Sequence, residues 1–270
     1  MPMRIHRALA RAGVASRRHA ESLVAAGRVM VNGSVAQLGQ VVDPDRDTIT
    51  VDGTPIGAPS TECWLVLNKP AGVMTTRSDP RGRQTVFSLV PDIPGLIYVG
   101  RLDYLTEGVL LFTTNGAAAH ALMHPRNEVE RTYVATVRGD AMRAVREARR
   151  GVMLHDGLVR PRDVSARALD PGRWELTVTI TEGRNREIRR LCKALGLYVD
   201  RLVRVRFGAI TLGRLAPGET RAITQDEGEW IGRIAGGAQP TRPPTPQPTR
   251  PPTPHPTPSP TPQPTSRHRR

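Results

Sequence analysis

Near the start of the chain, Ile5, Ala8, Leu9 and Ala12 fall at helical spacing with Arg4, Arg7 and Arg11 on the remaining face, and Gly13 stops the pattern. Ser16 is placed to cap a second helix, in which Arg17, Arg18 and His19 fill the first turn, Leu23 and Val24 supply the buried stripe and Gly27 ends it. Arg28 to Val31 and Ser34-Val35 then flank Asn32-Gly33, a pair that accepts the left-handed backbone of a tight hairpin. From Trp64 onward the period changes. Trp64 to Leu67, Leu96 to Val99 and Val109 to Thr113 read as short buried strands, whereas Arg131 to Val137 and Trp174 to Ile180 alternate. Ala141 to Arg150 and Arg186 to Leu195 are helical in pattern. Strands and helices are interspersed without a regular βαβ repeat. The predicted fold class is therefore α+β: a small N-terminal α/β module, then a domain with a mixed, mostly antiparallel sheet flanked by helices.

Texture sets the boundaries. Residues 1–52 form the compact basic module, 53–61 a linker of small and turn-forming residues, 62–232 the large domain and 233–270 a tail. From Gln239 the tail repeats every four residues, with threonine at 241, 245, 249, 253, 257, 261 and 265 and proline filling most places between. Proline at that density removes backbone donors and favours extended polyproline II, so the tail is expected to be disordered.

Charge points to a polyanionic partner. Of 270 residues, 39 are basic and 25 acidic, a net +14, of which the five arginines from Gln239 onward account for five and leave +9 on the rest. Each neutralised phosphate releases condensed counterions, so such an excess favours nucleic acid. Only Lys69 and Lys193 are lysines, a bias that a GC-rich genome would also produce. Cys63 and Cys192 stand alone, without metal-ligand spacing, and no nucleotide-binding glycine motif occurs, so no metal or cofactor is expected. No apolar run reaches signal-peptide or membrane-spanning length, so a cytoplasmic protein is expected.

Candidate chemistry lies in three places. Gly100-Arg101-Leu102-Asp103-Tyr104-Leu105-Thr106-Glu107-Gly108 puts a carboxylate in a glycine-bounded connection between two strands. Asp103 is the best candidate for a reacting group, although the same residue could simply accept backbone hydrogen bonds in a turn. Asn68-Lys69-Pro70-Ala71-Gly72 follows a strand and is expected to display Lys69. Glu182 to Arg190 gathers Arg184, Arg186, Arg189 and Arg190 at a helix entrance, which suits phosphates or internal pairing with Glu182 and Glu187. His120 and His124 share helical spacing, but Pro125 makes them helix-end residues rather than metal ligands.

Residues 4–18, with Gly27 to Gly33, resemble the S4 RNA-binding module, which implies shape-and-phosphate binding of RNA through Arg4, Arg7, Arg11, Arg17, Arg18 and Arg28. Residues 3 to about 225 as a whole resemble the RsuA-type bacterial pseudouridine synthases, in the branch with RluB, RluE and RluF. The motifs are Gly100-Arg101-Leu102-Asp103 with Thr106, Gly108 and Leu110; Arg131-Thr132-Tyr133; Glu182 to Arg190; and Leu202-Val203-Arg204-Val205 with Gly208. The resemblance implies isomerisation of uridine in ribosomal RNA without a cofactor. Asp103 would be the catalytic aspartate, attacking the ribose or promoting a glycal, and Tyr133 would stack on the base. Arg189 would be the aspartate's basic partner, Leu202 would line the uracil pocket and Arg101 would hold the nucleotide out of its stack. Lys69, Arg184, Arg186 and Arg190 complete the expected RNA contacts. Leu105 departs from the family's frequent asparagine, and Thr114-Asn115-Gly116 from a more usual Asn-Asp-Gly. The Arg184-Asn185-Arg186-Glu187 variant looks closer to the large-subunit enzymes, so 23S rRNA or a pre-ribosomal large-subunit particle is the expected partner of a monomer. Two other readings stand beside it: a noncatalytic RNA-binding ribosome-assembly factor, and an RNA hydrolase, for which the metal carboxylates are missing.

Overall fold

The structure is a computed structural model that describes residues 2–57 and 62–237. Most of the tail, and the prediction of its disorder, lies outside the described residues. Met3–Arg4 (β1) leads into helix α1 (Ile5–Arg11), and Ser16 caps α2 (Arg17–Ala25) by accepting from the His19 N–H at 3.2 Å. Arg4 thus precedes the helix rather than sharing its face. β2 (Val29–Val31) and β3 (Ser34–Val35) form the expected hairpin, with Asn32 and Gly33 at φ of 50° and 80°. β4 (Val41–Val42) pairs with β1, and β5 (Ile49–Val51) joins β2 on its other edge. β6 (Thr54–Pro55) pairs with β5, and Ile56 packs on the module's core. The module therefore runs past the predicted boundary at 52, because these residues complete its sheet.

The large domain is built on one sheet. Its strands are β7 (Trp64–Lys69), β8 (Ile97–Val99), β9 (Thr106–Thr113), β10 (Arg131–Arg138), β13 (Asp163–Asp170), β14 (Arg173–Ile180), β15 (Tyr198–Phe207), β16 (Ile210–Thr211) and β17 (Thr220–Ala222). The order is β13-β14-β10-β15-β9-β7-β17, with β8 against β9 and β16 against β15. All pairings are antiparallel except β15 with β9, where Leu202, Val203 and Arg204 run alongside Thr106, Glu107 and Gly108. β11 (Val152–Leu154) and β12 (Gly157–Val159) form a separate hairpin.

Helices cover the sheet where their sequences are amphipathic. α4 (Ala141–Arg150) buries Ala141, Ala144, Val145 and Ala148, and α5 (Glu187–Ala194) buries Ile188, Leu191 and Cys192 in the same core beneath β10 and β14. α3 (Gly116–Met123) and α6 (Gln225–Ala235) close a second core with β7 and β9. Trp230, Ile231 and Ile234 anchor α6, and a Thr224–Glu227 capping box starts it. The predicted tail start at 233 therefore cuts a helix: burial of Ile234 extends the folded domain to Ala235. No helix among the described residues is long and apolar enough to cross a membrane.

Candidate active site

Asp103 opens a four-residue turn that connects β8 to β9, closed by the Thr106 N–H on the Asp103 carbonyl at 3.0 Å. Leu102, just before it, is buried, and the Thr75 hydroxyl donates to its carbonyl at 2.7 Å. The turn is held from below by Lys69. This lysine is fully buried, and its Nζ donates to the carbonyls of Pro70 at 2.9 Å, Tyr104 at 3.3 Å and Thr106 at 3.0 Å. Burial pushes the ammonium down to about 8, opposed by the charges of Glu107 and Asp103. The expectation that Lys69 is displayed to RNA is thus overturned. Its three protons match three carbonyls, that of the next residue and two of the turn that crosses over it, and no hydrogen remains for a phosphate.

From the other side α5 reaches the same turn. Arg189 Nη2 donates to the Leu105 carbonyl at 2.9 Å. Burial and the neighbouring Arg186 lower its pKa, and Asp103 opposes them. The expected partnership with Asp103 therefore takes a different form: Arg189 bonds the backbone of the turn, and the aspartate acts on it through space. The Asp103 carboxylate makes no hydrogen bond or ion pair among the described residues, and stands half-buried on a cleft of about 850 Å³.

Strand alternation brings the remaining predicted residues to that cleft. Tyr133 on β10 lies beside Arg204 of β15, and Leu202, two residues earlier, lies beside Thr106 of β9. Tyr133, Leu202 and Asp103 all line the cleft, as does the exposed Arg101, which has no partner among the described residues. A bidentate pair, Arg201 to Glu107 at 2.9 and 2.8 Å, fastens β15 to β9 behind them.

Two lining arginines were not singled out as site residues. Arg131 Nη1 meets the carbonyls of Val129, Thr181 and Glu182, and Arg204 Nε meets that of Val109 at 2.8 Å. Both guanidinium carbons lie 5.2 Å from the centre of the Phe207 ring. An aromatic ring within reach of both cations offsets part of their repulsion. The alternation of Leu202 with Arg204, and of Arg131 with Tyr133, was the signal that places them on one face.

The arginine cluster at 184–190 divides by role. Arg190 makes a bidentate pair with Asp156, both contacts at 2.8 Å, and its Nε donates to the Asn185 carbonyl. The pairing holds the Asp156 carboxyl down to about 2. Arg184 pairs with Glu182 and donates to the carbonyls of Asp156 and Leu158. Both were expected to bind RNA, and both instead staple the β11–β12 hairpin to the entrance of α5. Arg186 is exposed, unpaired among the described residues, and held at a φ of 49°, an uncommon conformation for a side chain of its size.

In the basic module, Arg4, Arg7, Arg11, Arg17 and Arg18 are exposed as expected. Arg17 also donates toward His6 Nε2 at 3.1 Å. Arg28, also exposed, forms a bidentate pair with Asp52 within the module. His120 and His124 sit ring to ring at 5.4 Å at the end of α3, and no metal-binding cluster occurs among the described residues.

A helix pair and hairpin ahead of an α+β sheet, with a carboxylate on an arginine-lined cleft, suit a protein that works on a polyanion. Comparison narrows it. Residues 63–194 match the family model described as RNA pseudouridylate synthase, and residues 3–47 match that of the S4 domain. The chain is 43% identical over 231 residues to an uncharacterized RNA pseudouridine synthase of Mycobacterium tuberculosis, covering 83% of this chain and 91% of the relative. It is 46% identical over 224 residues to ribosomal large subunit pseudouridine synthase B of Vibrio cholerae, covering 80% of this chain and 70% of that one. A solved structure described as a pseudouridylate synthase superposes with a TM-score of 0.59 at 25% identity, covering 86% of this chain and 99% of its own. The chain belongs to the RNA pseudouridine synthase family and, like its members, is an isomerase.

Proposed function

We propose that the chain isomerises uridine to pseudouridine in ribosomal RNA, most directly that of the large subunit, acting as a cytoplasmic monomer with Asp103 as the reacting carboxylate. The observation that carries this reading is the unpaired Asp103 carboxylate, presented to the cleft on a turn that Lys69 and Arg189 hold from two sides. Likeness to a large-subunit synthase supports the choice of RNA.

The reaction breaks the N1–C1′ bond, rotates the uracil, joins C5 to C1′, removes the proton from C5 and leaves one on N1. Atoms and electrons are unchanged overall, so the residues' task is to hold the base and ribose while the bond is exchanged. A paired uridine must first leave its helix, at a cost of a few kcal/mol. Stacking on Tyr133 and phosphate contacts from Arg101, Arg186 and the basic module offset that cost. Asp103 acts at the ribose end of the glycosidic bond.

The test is direct. The protein is incubated with unmodified transcripts of both ribosomal RNAs, and pseudouridine is mapped by carbodiimide adducts that stop reverse transcription. A new stop in the 23S transcript is expected. A stop confined to 16S RNA would overturn the choice of subunit, and no stop on either would favour the noncatalytic assembly factor.

A further inference from the structure

Surface turns usually place glycine or short polar residues at their two central positions. The turn that begins at Asp103 instead carries Tyr104 and Leu105 there, 42% and 57% exposed. Their backbone is fixed. The Tyr104 carbonyl accepts from the Gly72 N–H at 2.8 Å and from Lys69, and the Leu105 carbonyl accepts from Arg189. Three donors from two segments of the chain thus hold two apolar side chains outside the cleft, at a set position beside the Asp103 carboxylate.

Their neighbours are cationic. Arg101 and Arg186 line the adjoining cleft, exposed and without partners among the described residues, and the Arg83 guanidinium, paired with Asp79, lies 6.0 Å from the centre of the Tyr104 ring. An apolar tip next to a cleft that carries unpaired arginines fits a partner that offers flat apolar faces between negative charges. Nucleic acid has that chemistry: stacked bases bordered by phosphates.

We propose that Tyr104 and Leu105 form a wedge that packs against the bases flanking the target uridine and holds open the gap the flipped base leaves; this deepens the reaction proposed above and rests on it. The rigid support gives the wedge its use. A tip that moved with the RNA could not keep the emptied stack apart while the ribose stays at Asp103. Wedge residues are needed most where a base must be pulled from a helix and least where it is already unpaired.

Two measurements test this on the full chain. The first uses a transcript fragment around the mapped uridine in two versions, one with the uridine paired and one with the opposing base changed so that it is not. Leu105→Ser is expected to lower the single-turnover rate about tenfold on the paired version and at least fivefold less on the unpaired one. Leu105→Met, which keeps the apolar reach, should recover most of the loss. Equal losses on both versions, or none on either, would overturn the wedge. The second replaces Leu105 with photoreactive p-benzoylphenylalanine and maps crosslinks on both ribosomal transcripts. Attachment to a nucleotide adjoining the modified uridine supports the proposal; pseudouridine formed with no crosslink near it overturns the proposal. Crosslinks without any pseudouridine from the wild type would sink the reaction and still support the tip as an RNA contact.

Discussion

A buried lysine whose three protons meet three carbonyls responds to pH unlike one in water. The Lys69 ammonium titrates near 8 in the fold, against 10.5 in an unfolded chain. Between those values the unfolded chain binds more protons, so this group makes stability rise with pH across that window, and below 8 the fold bears the full cost of burying the charge. Deprotonation also leaves an amine with two hydrogens for three carbonyls, which loosens the turn under Asp103. Opposite signs follow: from pH 7 to 10.5 the melting temperature of the wild type should rise relative to Lys69→Met, while its turnover falls with an apparent pKa near 8. Parallel pH profiles in the two proteins would remove Lys69 from that role. For Asp103 the expected outcome is simpler. Asp103→Asn keeps the shape of an unpaired side chain, so RNA affinity should change less than about twofold while pseudouridine formation is lost; residual turnover above about a thousandth of wild type would exclude it as the reacting group.

Between elements, β9 and β15 approach each other closely. Gly108 has a φ of 103°, and a Cβ there would meet the Arg204 carbonyl oxygen at 2.2 Å. Gly108→Ala must push apart the two strands that carry Thr106 and Leu202. It should cost more than about 2 kcal/mol, read by urea unfolding, and abolish turnover even in the fraction that remains folded. That pairing marks the limit of what the sequence makes legible. Glycines around Asp103, alternation in β10 and the apolar stripe of α5 are local signals, and each found its element. The parallel contact of β15 with β9 joins residues about 95 apart, and no local period encodes it. The same applies to Lys69, which reads as a turn residue until the chain returns over it 35 residues later. Arg190 likewise reads as a phosphate ligand until the hairpin supplies Asp156, 34 residues earlier. Long-range pairing engages these charges within the fold, while Arg101 and Arg186 stay exposed on the cleft and unpaired among the described residues.

At the scale of the molecule, the exposed arginines of α1 and α2 and those of the cleft can act on one RNA only if the two domains keep a common orientation. One contact between them is close. The end of α1 rests on the segment leading into β8: a Cβ on Gly95 would meet the Arg11 carbonyl oxygen at 2.5 Å, and one on Gly13 would meet the Pro94 Cβ at 2.7 Å. Both glycines also have positive φ, so neither position tolerates a branched side chain without movement. Gly95→Val should therefore lift the basic module from the catalytic domain while leaving each core intact. Two linked sites held at fixed separation bind a long partner more tightly than the same sites on a loose tether, because the second contact forms at a higher effective concentration. Affinity for full-length ribosomal RNA should then fall about tenfold, with a shallower dependence on salt as fewer phosphates are engaged together. Affinity for a short fragment that fills only the cleft should change little. Filter binding across salt concentrations measures both, and small-angle scattering checks that the variant has expanded. If the variant expands yet binds the long RNA as tightly as the wild type, the two domains act on their RNA independently and the Gly13–Gly95 contact serves packing alone.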